Sequence, residues 1–368
     1  MKIIIRNCNV AELDIPLKYA MKLYNEFAIR HPNAFYLRTR QRGMQNWDGK
    51  IKYITKTGQF KIGLLPSVYK RCIELGIKPI IVDMRQPLPK VSKVVTQIGK
   101  YKLRPEQEKA VKAILSNKLG ETPFQIGVLD YTVNAGKTLI MSALYLSYKK
   151  QLKTLLITND SDWLNQARDE FKQYLPGEDI TFVQGKVLNW SNFTIGMVQS
   201  ISRNMKYYQN ELAKIDMVLI DEADQGGSKQ YQNVITRLFN TRVRIGLSGT
   251  IYMSKLAKDK VKNMNLRCFF GDVIAEFKLK DSIKKGYSTK TIVKTVEGKP
   301  WFGNWESDCM SYNEIYDDSI THNKIAWTMA LDRLKWNLNQ GRYPALVVCK
   351  HIAHCENLCK FFKKKLDN

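Results

Sequence analysis

Along the chain the hydrophobic positions fall into three stretches of different pattern. In residues 1–95 a short apolar run at 3–5 precedes helical spacing at Leu17, Met21, Tyr24 and Ala28. Strand-like runs at 50–54 and 60–65 flank a turn at Gly58. A helix near 67–74 and a strand at 79–82 follow, and Pro87 and Pro89 make 86–93 a linker. The pattern predicts a small α/β accessory domain. From 96 to 272 strand-like runs recur at 126–129, 154–157, 180–183, 194–198, 217–220 and 243–247, with helical segments between most of them. That alternation predicts a parallel sheet with helices on both faces. Sites in such sheets sit at the carboxyl ends of strands. Residues 273–368 begin a further unit. It has a helix over 323–340 (apolar at Ile325, Met329, Leu334 and Leu338), a strand at 345–348 and a helix from Ile352.

Charge changes the picture most. Lys+Arg number 59 against 34 Asp+Glu, a formal net charge of +25, and such an excess points to a polyphosphate partner. Arg6 and Asn7 end the apolar run at 3–5 far short of a signal peptide's apolar core, and no apolar stretch approaches the ~20 residues of a membrane helix. Seven dispersed cysteines suggest free thiols in a reducing cytoplasm. Cys349, His351, His354, Cys355 and Cys359 lack the paired short-knuckle spacing of a zinc site. Cys355 and Cys359, one turn apart, are expected to face a core.

Three segments carry candidate chemistry. Asn134-Ala135-Gly136-Lys137-Thr138 follows the strand ending near Tyr131. A glycine there lets backbone N–H groups approach phosphate oxygens at a helix N-terminus. Lys137 would reach the β and γ phosphates of ATP, and the Thr138 hydroxyl would ligate Mg2+. The stock pattern has glycine where this chain has Tyr131. Thr132, Val133 and Asn134 also depart from it, although asparagine tolerates left-handed backbone. The apolar run 217–220 then delivers Asp221-Glu222-Ala223-Asp224. Asp221 would hold the metal and Glu222 would polarise the attacking water. Gly246-Leu247-Ser248-Gly249-Thr250 closes another strand, and Leu103-Arg104-Pro105-Glu106-Gln107 opens the lobe with Pro at a helix start.

The succession Leu-Arg-Pro-x-Gln, Ala-Gly-Lys-Thr, Asp-Glu-Ala-Asp, Ser-Gly-Thr resembles superfamily 2 helicases, and most of all the UvsW-type phage DNA helicases. The resemblance implies a RecA-like lobe at 96–272, an accessory DNA-binding domain at 1–95 and the incomplete beginning of a second RecA-like lobe at 273–368. It implies that Arg104 and Gln107 read the adenine edge, and that Ser248 and Thr250 couple ATP state to DNA grip through Asp224. Gln166, and Gln199 with Ser200, match strand-contacting motifs, although Asn159-Asp160 replaces the usual Pro-Thr. Phe269-Phe270-Gly271 resembles the junction after the first lobe, and Lys350 a contact at the start of the second.

Near the N-terminus, Arg38, Arg40, Arg42, Trp47 and Lys50 interleave with Phe35, Tyr36 and Tyr53. Such interleaving suits backbone neutralisation with base stacking, while Phe35, Trp47 and Tyr53 equally suit a small core. The later family motifs, including a Gln-x-x-Gly-Arg-x-x-Arg segment, do not occur; Gln340-Gly341-Arg342 reads as a turn. The family's arginine from the second lobe is worth on the order of 10³–10⁵ in turnover. The expectation is a chain that binds ATP and DNA but turns over poorly, unless another polypeptide supplies the rest. The leading reading is an ATP-dependent DNA helicase or translocase serving recombination, repair or replication, in a host cytoplasm if phage-encoded. An RNA helicase, or a non-catalytic DNA-binding protein with a vestigial nucleotide site, remain as alternatives.

Overall fold

The computed structural model describes residues 1–40, 43–91, 93–185, 189–252, 257–290, 311–342 and 345–366. The chain divides into a unit Met1–Lys290 and a unit Thr291–Asn368. The first holds a seven-stranded, wholly parallel sheet. Its spatial order is Ile180–Val183, Phe193–Met197, Thr154–Thr158, Met217–Asp221, Val243–Ser248, Ile126–Tyr131, Val273–Phe277. The apolar runs are continuous because both faces are covered. Ile126 and Val128, Leu155 and Ile157, Val218 and Ile220 join one core, with Val198, Ile201 and Val234 from covering helices. The alternate residues Leu129 and Tyr131, Leu156, Met217 and Leu219 join the other, with Val111, Ile140, Leu144 and Leu164.

Six strands lie where the hydrophobic runs put them. The seventh, Val273–Phe277, lies beyond the expected end of the lobe at 272 and pairs with Ile126–Tyr131. Phe269-Phe270-Gly271 is therefore no junction. The two phenylalanines end the helix Ala257–Phe270 inside the core, and Gly271 turns the chain at φ 74° into the last strand. Only two of that strand's five residues are buried, so its sequence carries no continuous apolar run.

The N-terminal segment forms a four-stranded sheet in the order Gln59–Lys61, Val10–Asp14, Lys2–Ile5, Ile80–Asp83. Of the apolar run at 60–65, only Phe60 and Lys61 are strand, as the end of Gln59–Lys61. The remainder turns through Ile62–Leu64 into the helix Leu65–Glu74. Ile3, Ile5, Ala11, Ile62, Leu64 and Leu65 belong to the same core as one face of the large sheet, so the expected segments 1–95 and 96–272 pack together. The proline-bearing stretch is pinned as well: Arg242 donates to the Gln86 carbonyl, and Val95 N–H donates to Ser147 Oγ at 3.0 Å.

In the second unit the helices Lys324–Asn339 and Ile352–Leu366 pack through Leu331, Leu358 and Phe362. Asn323 caps the first helix, accepting from Ile325 N–H and Ala326 N–H at 3.0 and 3.1 Å. The expected strand at 345–348 is not formed, and Leu346 and Val348 are exposed. Among the described residues this unit has no strand to pair with it, and a lone strand leaves its backbone N–H and C=O groups without partners. Cys355 and Cys359 are exposed, contrary to the expected core-facing pair; the inward positions are His354, Leu358 and Phe362, which share a different helical stripe.

Candidate active site

The site forms where the strands Ile126–Tyr131, Met217–Asp221 and Val243–Ser248 end side by side. After Tyr131 the chain loops into the helix Lys137–Ser147, with Asn134 at φ 63° and Gly136 at φ 72°. The left-handed conformation at Asn134 explains how a loop with asparagine in place of glycine still turns. A Cβ at Gly136 would lie 2.3 Å from the Gln107 amide nitrogen, so no larger residue leaves this loop undisturbed. Tyr131 replaces the first glycine of the stock pattern because it is a buried strand residue, whose hydroxyl donates to the Glu106 carbonyl at 2.8 Å.

Lys137 Nζ stands 3.9 Å from Asp221 Oδ1 and 3.7 Å from Glu222 Oε1. Asp221 is buried, 4% exposed, and its carboxyl pKa is pushed up to about 6. Burial is the main cause; Lys137 opposes it, while Glu222 and Asp160 add to it. A buried carboxylate whose nearby ammonium stays beyond hydrogen-bond length suits a divalent cation. Glu222 is half exposed and holds left-handed backbone at φ 50°, ψ 53°. Such strain in a residue other than glycine persists where the surroundings over-determine it, as they do at functional sites. Thr138 sits in the first helical turn beside Lys137, where its hydroxyl suits the second ligand to the same cation.

Gln107 and Arg104 brace the loop from the side. Gln107 Nε2 donates to the Ala135 carbonyl at 2.8 Å and Arg104 Nη2 to the Asn134 carbonyl at 3.1 Å. Arg104 N–H donates to Gln107 Oε1 at 2.8 Å. Ser248 Oγ donates to Asp224 Oδ1 at 3.1 Å, and Thr250 N–H donates back to Ser248 Oγ at 3.2 Å. The geometry thus brings together Arg104, Gln107, Asn134, Ala135, Gly136, Lys137, Asp221 and Glu222, and links Ser248, Thr250 and Asp224.

Of the expected nucleic-acid contacts, Arg38 and Arg40 lie on the helix Ala34–Arg40 beside exposed Phe35 and Tyr36, with the Arg40 guanidinium 4.7 Å from the Tyr36 ring centroid. Arg42 lies outside the described residues. The aromatics divide. Phe35 is 81% exposed, Tyr53 packs on the core and reaches Asn265 Oδ1 at 3.0 Å, and Trp47 donates to the Lys50 carbonyl at 2.9 Å. Gln166 bonds Glu170, Gln199 bonds the Asn159 carbonyl, and Ser200 Oγ accepts from Gly185 N–H. In the other unit Lys350 lies over Tyr312 and Tyr316. Asp160, which stands in the family's Pro-Thr place, caps the helix Ser161–Tyr174 by accepting from Asp162 N–H and Trp163 N–H. Sequence reasoning missed that role; an aspartate just before a helical run was the signal.

The chain is similar to known proteins across this region. The family described as "Type III restriction enzyme, res subunit" matches residues 100–253. The ATP-dependent DNA helicase UvsW of Enterobacteria phage T4 is 22% identical over 351 residues, covering 88% of this chain and 65% of UvsW. The chain is thus similar to an ATP-dependent DNA helicase over most of its length. A putative ATP-dependent RNA helicase of Acanthamoeba polyphaga mimivirus is 26% identical over 147 residues, 40% of this chain and 27% of that protein. Two crystal structures of the phage T4 protein share the fold. One, 22% identical, covers 75% of this chain and all of the other at TM-score 0.59. The second, 19% identical, covers 99% of this chain and 73% of the other at TM-score 0.58. The chain thus spans just under two thirds of UvsW's full length. Among the described residues no helix is long and apolar enough to cross a membrane.

Proposed function

We propose that this chain is an ATP-hydrolysing DNA motor, with the nucleotide held between the Lys137 loop and the Asp221–Glu222 strand end. The observation that carries this reading is the convergence of Lys137 on both carboxylates within 4 Å. Lys137 and the backbone N–H groups at the start of its helix bind the phosphates. Thr138 and Asp221 hold Mg2+, which when bound neutralises charge on the phosphate oxygens. Glu222, the more exposed carboxylate, orients water and accepts its proton. Ser248 bonds Asp224 directly, so a change in grip at the acidic strand end passes to the Ser248–Thr250 loop.

Three features favour DNA as the track: the net charge of +25, the exposed Phe35–Tyr36–Arg38–Arg40 helix face and the relationship to a named DNA helicase over most of the chain. Arg38, Arg40, Arg42, Trp47 and Lys50 are its proposed accessory contacts; Gln166, Gln199, Ser200 and Lys350 are the proposed motor contacts. Branch migration or unwinding in recombination, repair or replication, in a host cytoplasm, is the corresponding biological role. Exchange of Glu222→Gln is expected to keep nucleotide binding and to lower DNA-stimulated hydrolysis by at least about 100-fold. Hydrolysis that survives this exchange rejects the assignment. Stimulation by RNA duplexes in place of forked DNA would assign the track to RNA.

A further inference from the structure

Gln107, the expected reader of the base, is 2% exposed, and its amide is engaged with the Ala135 carbonyl and the Arg104 N–H. The accessible surface on this flank of the loop belongs to its neighbours. Arg104 is partly exposed and its guanidinium is fixed on several sides. Nη2 bonds the Asn134 carbonyl at 3.1 Å, Nε approaches Glu106 Oε1 at 3.2 Å, and the carbon centre lies 4.4 Å from the Tyr287 ring centroid. Tyr287 follows the helix Leu279–Lys284 and is itself held in place. Its N–H donates to the Ser282 carbonyl at 2.9 Å, and its ring packs at 6.5 Å from Phe277, which packs in turn at 6.0 Å from Tyr131. Two residues earlier, Lys285 Nζ bonds the buried Glu106 at 2.8 Å. The short turn carrying Tyr287 is thereby fastened to the helix that carries Gln107. Tyr287 remains 37% exposed.

We infer that Tyr287 is a positioning residue of the nucleobase subsite: it backs the Arg104 guanidinium so that the purine of the bound nucleotide stacks on that plate beside the Lys137 loop. Both elements have the required chemistry, since a guanidinium plane stacks on aromatic faces and an aromatic ring attracts the cation. No sequence motif marks the position, because Tyr287 lies more than 180 residues after Arg104. The inference rests on the proposed nucleotide site and adds the group that orients its base-side wall.

The test is calorimetric binding of Mg·ATP and of magnesium tripolyphosphate, which lacks base and sugar, to the full chain and to Tyr287→Ala and Tyr287→Phe. Tyr287→Ala is expected to weaken Mg·ATP about five- to tenfold, as the loss of one cation–π contact implies. Tripolyphosphate affinity stays unchanged, and Tyr287→Phe, which keeps the ring, restores ATP binding. Unchanged ATP affinity in Tyr287→Ala overturns the inference and leaves the nucleotide site standing. A parallel loss of both ligands overturns it too, because the ring would then support the loop rather than the base. If the unaltered chain binds neither ligand, the nucleotide site fails and this inference with it.

Discussion

Asp221 is a carboxyl group that its surroundings keep protonated to higher pH than usual. Its folded-state pKa, about 6, lies above its ordinary value of 3.8. Between those values the folded chain binds more protons than the unfolded one, so stability falls as pH rises through that window. The cost is complete above pH 6. Replacement by asparagine removes the charge at neutral pH and is expected to raise stability there by about 1–3 kcal/mol, while abolishing Mg2+-dependent nucleotide binding. Urea unfolding at pH 4 and pH 8 checks the first effect, because the gain must shrink at the lower pH. For the unaltered chain, Mg·ATP affinity should decline as pH drops below about 6, where protons compete for the same oxygen. Gly136→Ala belongs to the same scale. Its methyl meets the Gln107 amide on a backbone at φ 72°, so it is expected to cost on the order of 1–2 kcal/mol of stability. Nucleotide affinity should fall at least tenfold by calorimetry.

The strand Val243–Ser248 joins two jobs that its sequence does not advertise together. One end presents Ser248 to Asp224. Near the other, fully buried Arg244 donates to the Phe269 carbonyl at 3.1 Å, the Cys8 carbonyl at 2.7 Å and Asn9 Oδ1 at 2.8 Å. That guanidinium therefore ties the N-terminal sheet to the nucleotide lobe through groups with no water to replace it. Burial lowers its pKa to about 10, which leaves it charged at neutral pH. Arg244→Met leaves buried acceptors without their donor and is expected to cost about 1–3 kcal/mol, read as a lower urea midpoint. The strand itself was legible because 243–247 is apolar apart from Arg244, and Gly-Lys-Thr, Asp-Glu-Ala-Asp and Ser-Gly-Thr were legible because local motifs fix their own chemistry. What escaped depended on distant partners. Val273–Phe277, at the sheet edge, buries only Ala275 and Phe277. Nothing local marks Arg244 as buried, because its partners Cys8 and Asn9 lie some 235 positions away. The apolar residues at 345–348 read as a strand although no described strand accompanies them.

At the scale of the whole molecule, Met1–Lys290 has its own two-faced core. Expressed as a fragment, it should unfold in one cooperative transition and retain Mg·ATP binding; a noncooperative melt rejects that expectation. The charge of +25 is a property of the entire chain, and it makes a prediction about mechanism as well as affinity. Each phosphate neutralised by a lysine or arginine releases condensed counterion, so the logarithm of DNA affinity falls with the logarithm of salt at about 0.9 per contact. Arg38 and Arg40 lie on one short exposed helix with Phe35 and Tyr36. If both touch phosphates, the double exchange Arg38→Ala, Arg40→Ala should lower the salt slope by about 2 and weaken binding at low salt. Phe35→Ala should instead weaken binding without changing the slope, because base stacking releases no counterion. Fluorescence anisotropy on forked DNA from 50 to 200 mM salt (about the range over which such slopes are measured) separates the two. An unchanged slope in the double variant moves the phosphate contacts to another face of the chain.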